Sequence, residues 1–120
     1  MSKNDFTNLR LKHVAWRTYL DDFLAGKNSM TEEQATNHKV CDVGKWLYSV
    51  GMKKYGDLDE IQKLEKIHVE LHATVKKVIL RQEAGDIDAK KKELKKLDRI
   101  LRKIMLLLVR IEENLILNRR

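Results

Sequence analysis

The sequence predicts an all-α protein, a four-helix bundle of three long helices and one short second helix, on three observations. There is no proline among the 120 residues and there are only five glycines. Good helix formers, Leu, Lys and Glu above all, dominate the composition. Apolar residues recur at alternating steps of three and four over three long stretches, the spacing that lays a single stripe along a helix. A chain of this length buries a real core, and residues 1–120 read as one domain.

The first stripe is Phe6, Leu9, His13, Trp16, Leu20 and Phe23. It sets a helix from about Asp5 to Ala25, with Gly26 as its stop. The following "KNSMTEEQATNH" shows no clear period and reads as a long connection with room for one helical turn. Connections of that length tend to have a functional or local packing role. A short second helix runs from about Val40 to Val50 and is expected to end at Gly51. "YGDLDE" then supplies a turn and an N-cap, Asp57 or Asp59, for the third helix. That helix carries Ile61, Leu64, His68, Leu71, Val75 and Val78, and Gly85 closes it. Asp86 caps the fourth, whose stripe is Leu94, Leu97, Leu101, Ile104, Leu108, Ile111 and Leu115.

The fourth helix is more apolar than one stripe requires, because Ile100, Met105, Leu107, Ile116 and Leu117 lie off it. A helix apolar over several faces meets a second partner. Three arrangements satisfy this: a homodimer through the C-terminal helix, a seam continued into an adjoining domain, or a central helix buried by its own bundle.

A single cysteine excludes an internal disulfide and fits a reducing, cytoplasmic setting. No signal-peptide pattern opens the chain. The longest apolar run, Ile104 to Val109, is far below the roughly 20 residues that cross a bilayer, so no membrane role is expected. A formal charge of +7 raises nucleic-acid binding. The lysines of "AKKKELKKLDR", however, are interleaved with Glu93 and Asp98 and fall mostly opposite the apolar stripe, as a solvated face does. No aromatic platform accompanies them, so no nucleic-acid partner is expected.

Two histidines stand where the stripes call for leucine. Burying an imidazole without partners costs on the order of 1–3 kcal/mol, so something must bond to His13 and His68. His72 follows His68 by four residues and projects from the same helix face, a spacing with which one helix chelates a metal. His13 and His68 each lie about nine or ten residues into their helices, roughly 14–15 Å along the axis. In an up-down-up-down bundle the first and third helices run parallel, so these levels coincide. Three imidazoles can then converge with Cys41 as fourth donor, a borderline-soft His₃Cys set suited to Zn2+. Each residue also has an ordinary explanation: a satisfied core histidine, a chance His-x-x-x-His, a cysteine acting as a small hydrophobe. His38 competes for a place through "HKVC", although its position in a loop outside any stripe favours a solvated ring.

"KHVAWRTYL" with His13 and Trp16, "CDVGKWLYSVG" with Cys41, Gly44 and Trp46, and "HVELH" with His68 and His72 resemble the chemoreceptor zinc-binding (CZB) domain. Order and separations agree from the first helix through the third, and the fourth agrees only in character. The resemblance implies a cytoplasmic four-helix bundle with one zinc on His13, Cys41, His68 and His72. It also implies a regulatory domain, frequently dimeric, that serves a chemoreceptor or diguanylate cyclase signalling domain in cis or trans. Such domains respond to zinc or to oxidants such as hypochlorous acid. This chain holds neither a receptor signalling hairpin nor a cyclase domain, which leaves a stand-alone regulator or a piece of something longer.

Within that picture Cys41 sits at the start of the second helix, where helix dipole and metal both favour thiolate. Gly44 lets this helix approach its neighbour, and Trp16 and Trp46 shield the site or simply pack the core. Oxidation of Cys41 to sulfenic acid yields a poorer ligand and frees the second helix, the expected moving part. Two other bundle functions compete. A di-iron centre can draw on Glu65 and His68 at Glu-x-x-His spacing, but needs further inward carboxylates that the first helix does not supply. A histidine phosphotransfer module needs an exposed histidine. No nucleophile-base-acid constellation or phosphate loop is present, so no enzyme activity is expected.

Overall fold

The computed structural model describes residues 3–27 and 30–117, with side chains described from Phe6 to Leu115. Asp5, Ile116 and Leu117 therefore have side chains outside the described residues. The described chain is all-α: α1 (Lys3–Leu24), α2 (Glu32–Thr36), α3 (Asp42–Trp46), a π-helical turn (Leu47–Gly51), α4 (Met52–Tyr55), α5 (Asp59–Glu83) and α6 (Ile87–Leu117).

The three long helices form where the stripes place them, and their apolar faces make the core. Phe6, Leu9, Trp16 and Leu20 of α1 are buried against Ile61, Leu64, Leu71 and Val75 of α5 and Leu97, Ile104, Leu108 and Ile111 of α6. Polar contacts give their directions. Arg10 pairs with Glu112 at 3.3 Å and Arg17 with Asp98 at 2.8 Å, so α1 runs antiparallel to α6. Gln82 near the end of α5 donates to the Leu24 carbonyl at the end of α1 at 3.0 Å, so α1 and α5 run parallel. The stops are those the sequence expects: Gly26 and Gly85 take positive φ of 72° and 71°. Asp86 caps α6 by accepting from the Ala89 N–H at 3.1 Å.

Two local expectations are corrected. Neither Asp57 nor Asp59 is the N-cap of α5. Leu58 holds that position in extended conformation, and Asp59 and Glu60 are acids of the first turn, where they meet the positive end of the helix dipole. Gly51 does not end the second helix either. It stays helical inside the π turn, and the rod continues to Tyr55. A Cβ on Gly51 would stand 2.9 Å from Trp46 Cζ3, so its glycine serves a close approach and not a stop.

The long connection holds α2, closed by a capping box. Thr31 accepts from the Gln34 N–H at 3.1 Å, and the Gln34 side chain accepts from the Thr31 N–H at 2.9 Å. This turn buries Ala35 completely and lays it on α5. Of the residues off the α6 stripe, Ile100 and Leu107 are buried by the chain's own helices and Met105 is partly buried, while their neighbour Leu106 is about half exposed, at 52%. No described helix is long and apolar enough to cross a membrane.

Candidate metal centre

Helix α1 contributes His13, the start of α3 contributes Cys41, and α5 contributes His68 and His72 one turn apart. One ligand atom from each lies within 4.8 Å of the other three, and all four residues are buried. Among the described residues no other group of three or more His, Cys, Asp or Glu side chains forms such a cluster. His68 is at its centre, with Nε2 3.0 Å from Cys41 Sγ and 3.2 Å from His72 Nε2. The ring centroids of His13 and His68 are 5.4 Å apart, and those of His13 and His72 are 6.5 Å apart.

One hydrogen bond orients this arrangement. His72 Nδ1 lies 2.8 Å from the buried Ala35 carbonyl, an acceptor only, so Nδ1 carries the proton and Nε2 presents a lone pair to the cluster. The capping box of α2 is what holds that carbonyl in place. His13 has no hydrogen-bond partner on either ring nitrogen, and His68 has none on Nδ1. Orphaned nitrogens at 2% exposure or less are costly, and a shared cation meets the need the lone pairs leave. The donor spacings of 3.0 and 3.2 Å fall just short of the tetrahedral edges of roughly 3.3–3.6 Å that zinc bond lengths give. The residues present fit zinc.

Electrostatics point the same way. Burial, reinforced by His72, pushes His13 down to about 3. Burial and the neighbouring imidazoles push His68 to about 2. Burial pushes His72 to about 4, against the opposing pull of the Ala35 carbonyl. All three rings are therefore neutral near pH 7, as metal ligands must be. Burial raises the Cys41 thiol to about 11, outweighing the Gly44 and Val43 backbone N–H groups at the helix start. The helix start thus does not favour thiolate on balance; that needs a cation beside the sulfur.

These shifts set a pH dependence. Each folded-state histidine value lies below the ordinary 6.5, so the unfolded chain takes up protons first as pH falls. Stability of the metal-free chain is expected to be level above pH 7 and to be lost from pH 6.5 toward 4. The limiting slope for three histidines is about 4 kcal/mol per pH unit, readable from urea titrations at each pH. A slope of zero over that range would contradict neutral, buried rings.

The aromatic neighbours divide. Trp16 stacks on His13 with centroids 5.3 Å apart and lies 5.1 Å from His72, so it roofs the cluster. Trp46 packs edge-on to Phe6 at 5.5 Å and over Gly51. Gly44 makes a close approach to two groups at once. A Cβ there would stand 1.8 Å from the His38 carbonyl oxygen and 3.3 Å from His68 Cε1. Since the first contact is backbone, Gly44→Ala must displace either the loop or α3. It is expected to cost about 3 kcal/mol in a urea melt and to weaken metal binding in the same protein. His38 lies outside the four-atom cluster but is not fully solvated: it is partly buried, with its ring 6.3 Å from that of His68 and 5.9 Å from that of Tyr48.

Glu65, which a di-iron centre would place beside His68, belongs to no metal-holding group among the described residues; burial and this carboxylate hold the Tyr48 hydroxyl above its ordinary value. Ala35 is the contributor the sequence did not flag. The Thr31-x-x-Gln34 pattern announced its turn, but a backbone carbonyl has no residue signature. Comparison with protein families gives a match to the chemoreceptor zinc-binding domain over residues 13–79, more than half of the chain and containing all four cluster residues. No curated protein and no solved structure matches.

Proposed function

The chain belongs to the chemoreceptor zinc-binding domain family, and from that premise we propose that it is a cytoplasmic regulatory domain holding one zinc ion on His13, Cys41, His68 and His72. The observation that carries this is the meeting of four buried donor atoms from three separate stretches within 4.8 Å. The signal is zinc occupancy or oxidation of Cys41, and the output is a chemoreceptor or diguanylate cyclase signalling domain, in cis or in trans. The long helices α1, α5 and α6, with the rod from α3 to α4, act as a four-helix bundle that pairs with a second copy along α6.

Zinc, when bound, supplies the positive charge that keeps the Cys41 sulfur a thiolate. The chain's own residues do the rest. His72 is aimed by the Ala35 carbonyl, and Trp16 stacks on the His13 ring. With hypochlorous acid, the net change is oxygen transfer to sulfur: the thiolate becomes a sulfenic acid, chloride leaves, and two electrons pass from sulfur to chlorine. The sulfenic acid is a poor donor, so Cys41 detaches and the start of α3 loses its tie to α5. Helix α3 and the connection before it are then the two-state element. Four protein ligands leave no open position for a substrate water, so the role is regulatory and not catalytic. Phosphotransfer finds little support, since His13, His68 and His72 are exposed by 2% or less.

The test is hydrogen exchange on the zinc-loaded protein before and after one equivalent of hypochlorous acid. Faster exchange over residues 30–55, absent in Cys41→Ser, supports the reading. Protection unchanged in the wild type rules out the release of α3.

A further inference from the structure

Resting on the zinc reading, we propose that His38 is a reserve ligand, which rotates onto the metal when Cys41 is lost and converts a His₃Cys site into a His₄ site. His38 and Cys41 leave the same turn, three residues apart, and that turn is held by the Val40 N–H bond to the Asn37 carbonyl at 3.2 Å. The turn is also held against the cluster. The His38 carbonyl and His68 Cε1 both crowd the point where Gly44 would carry a Cβ, at 1.8 and 3.3 Å. Cε1 is bonded to Nε2, the His68 atom facing Cys41, so the His38 backbone is a near neighbour of the reacting corner.

The His38 ring already stands beside the central imidazole of the cluster. Its centroid is 6.3 Å from that of His68, within the 4.7–6.5 Å span of the cluster's own ring separations. It also meets the Tyr48 ring, with centroids 5.9 Å apart. Replacing a thiolate by a neutral imidazole raises the net charge of the site by one. Rotation about the His38 side-chain bonds brings a nitrogen to the corner the sulfur vacates. The oxidised site then keeps its metal while the turn carrying His38 and Cys41 is re-seated, a conformational change without metal loss.

The probe is Co2+ in place of zinc, read by absorption and by competition affinity in four proteins: wild type, Cys41→Ala, His38→Ala and the double variant. Wild type shows four-coordinate ligand-field intensity with a sulfur charge-transfer band. Cys41→Ala is expected to lose that band yet keep four-coordinate intensity. The double variant is expected to lose the intensity as water enters, and to bind about tenfold or more weaker than Cys41→Ala. His38→Ala alone matches wild type, which also shows that this variant folds. If the double variant equals Cys41→Ala in spectrum and affinity, or if Cys41→Ala binds no metal, the reserve-ligand role is overturned. A wild type without metal would instead defeat the zinc reading itself.

Discussion

Chelating the metal is expected to lower the unfolding free energy of the zinc-loaded chain by about 4 kcal/mol, taking free zinc at a thousandfold above its dissociation constant. The reason is linkage: the four donors converge only in the folded chain, so a metal held by all four favours the native state over the unfolded one. The loss is expected to be uneven. α5 and α6 share a continuous apolar seam, whereas α2 and α3 are five-residue helices anchored to α5 through the Ala35 carbonyl and Cys41. Urea melts with and without chelator measure the total. Superimposable curves would mean that no metal contributes to folding.

His68→Ala is expected to be the most damaging single substitution at the site. His68 is fully buried, contacts both the Cys41 sulfur and the His72 nitrogen, and lies under the His13 ring. Removing it deletes one donor and slackens the others. Zinc affinity should fall by more than about a hundredfold, equivalent to about 3 kcal/mol, with a further cavity cost of about 2–3 kcal/mol in the metal-free chain. Val78→Ala separates the two effects, since Val78 is equally buried on the same helix outside the cluster. That variant should lose stability and keep its zinc. Equal zinc affinity in both variants would place the metal elsewhere.

The long helices were legible because burial enforces their period. Every stripe position of α5 is fully buried, and a histidine inside a stripe signals a partner because nothing else compensates its burial. The parallel run of α1 and α5 was also expected from sequence, on an up-down-up-down order, and Gln82 on the Leu24 carbonyl bears it out. What escaped depends on groups that sequence patterns do not name. The Ala35 carbonyl orients His72 through its backbone, so alanine there carries no polar signal. Gly51 looked like a helix stop, yet its missing side chain makes room for Trp46. His38 looked solvated because it sits in a loop, and only the tertiary approach at Gly44 brings it to His68.

The central claim is tested most directly by zinc-edge X-ray absorption on the purified, zinc-loaded chain, with metal content measured on the same sample. The expected result is one zinc per chain, with three nitrogen neighbours at about 2.0 Å and one sulfur at about 2.3 Å. Absence of bound zinc, or a shell without sulfur in the reduced protein, would contradict it.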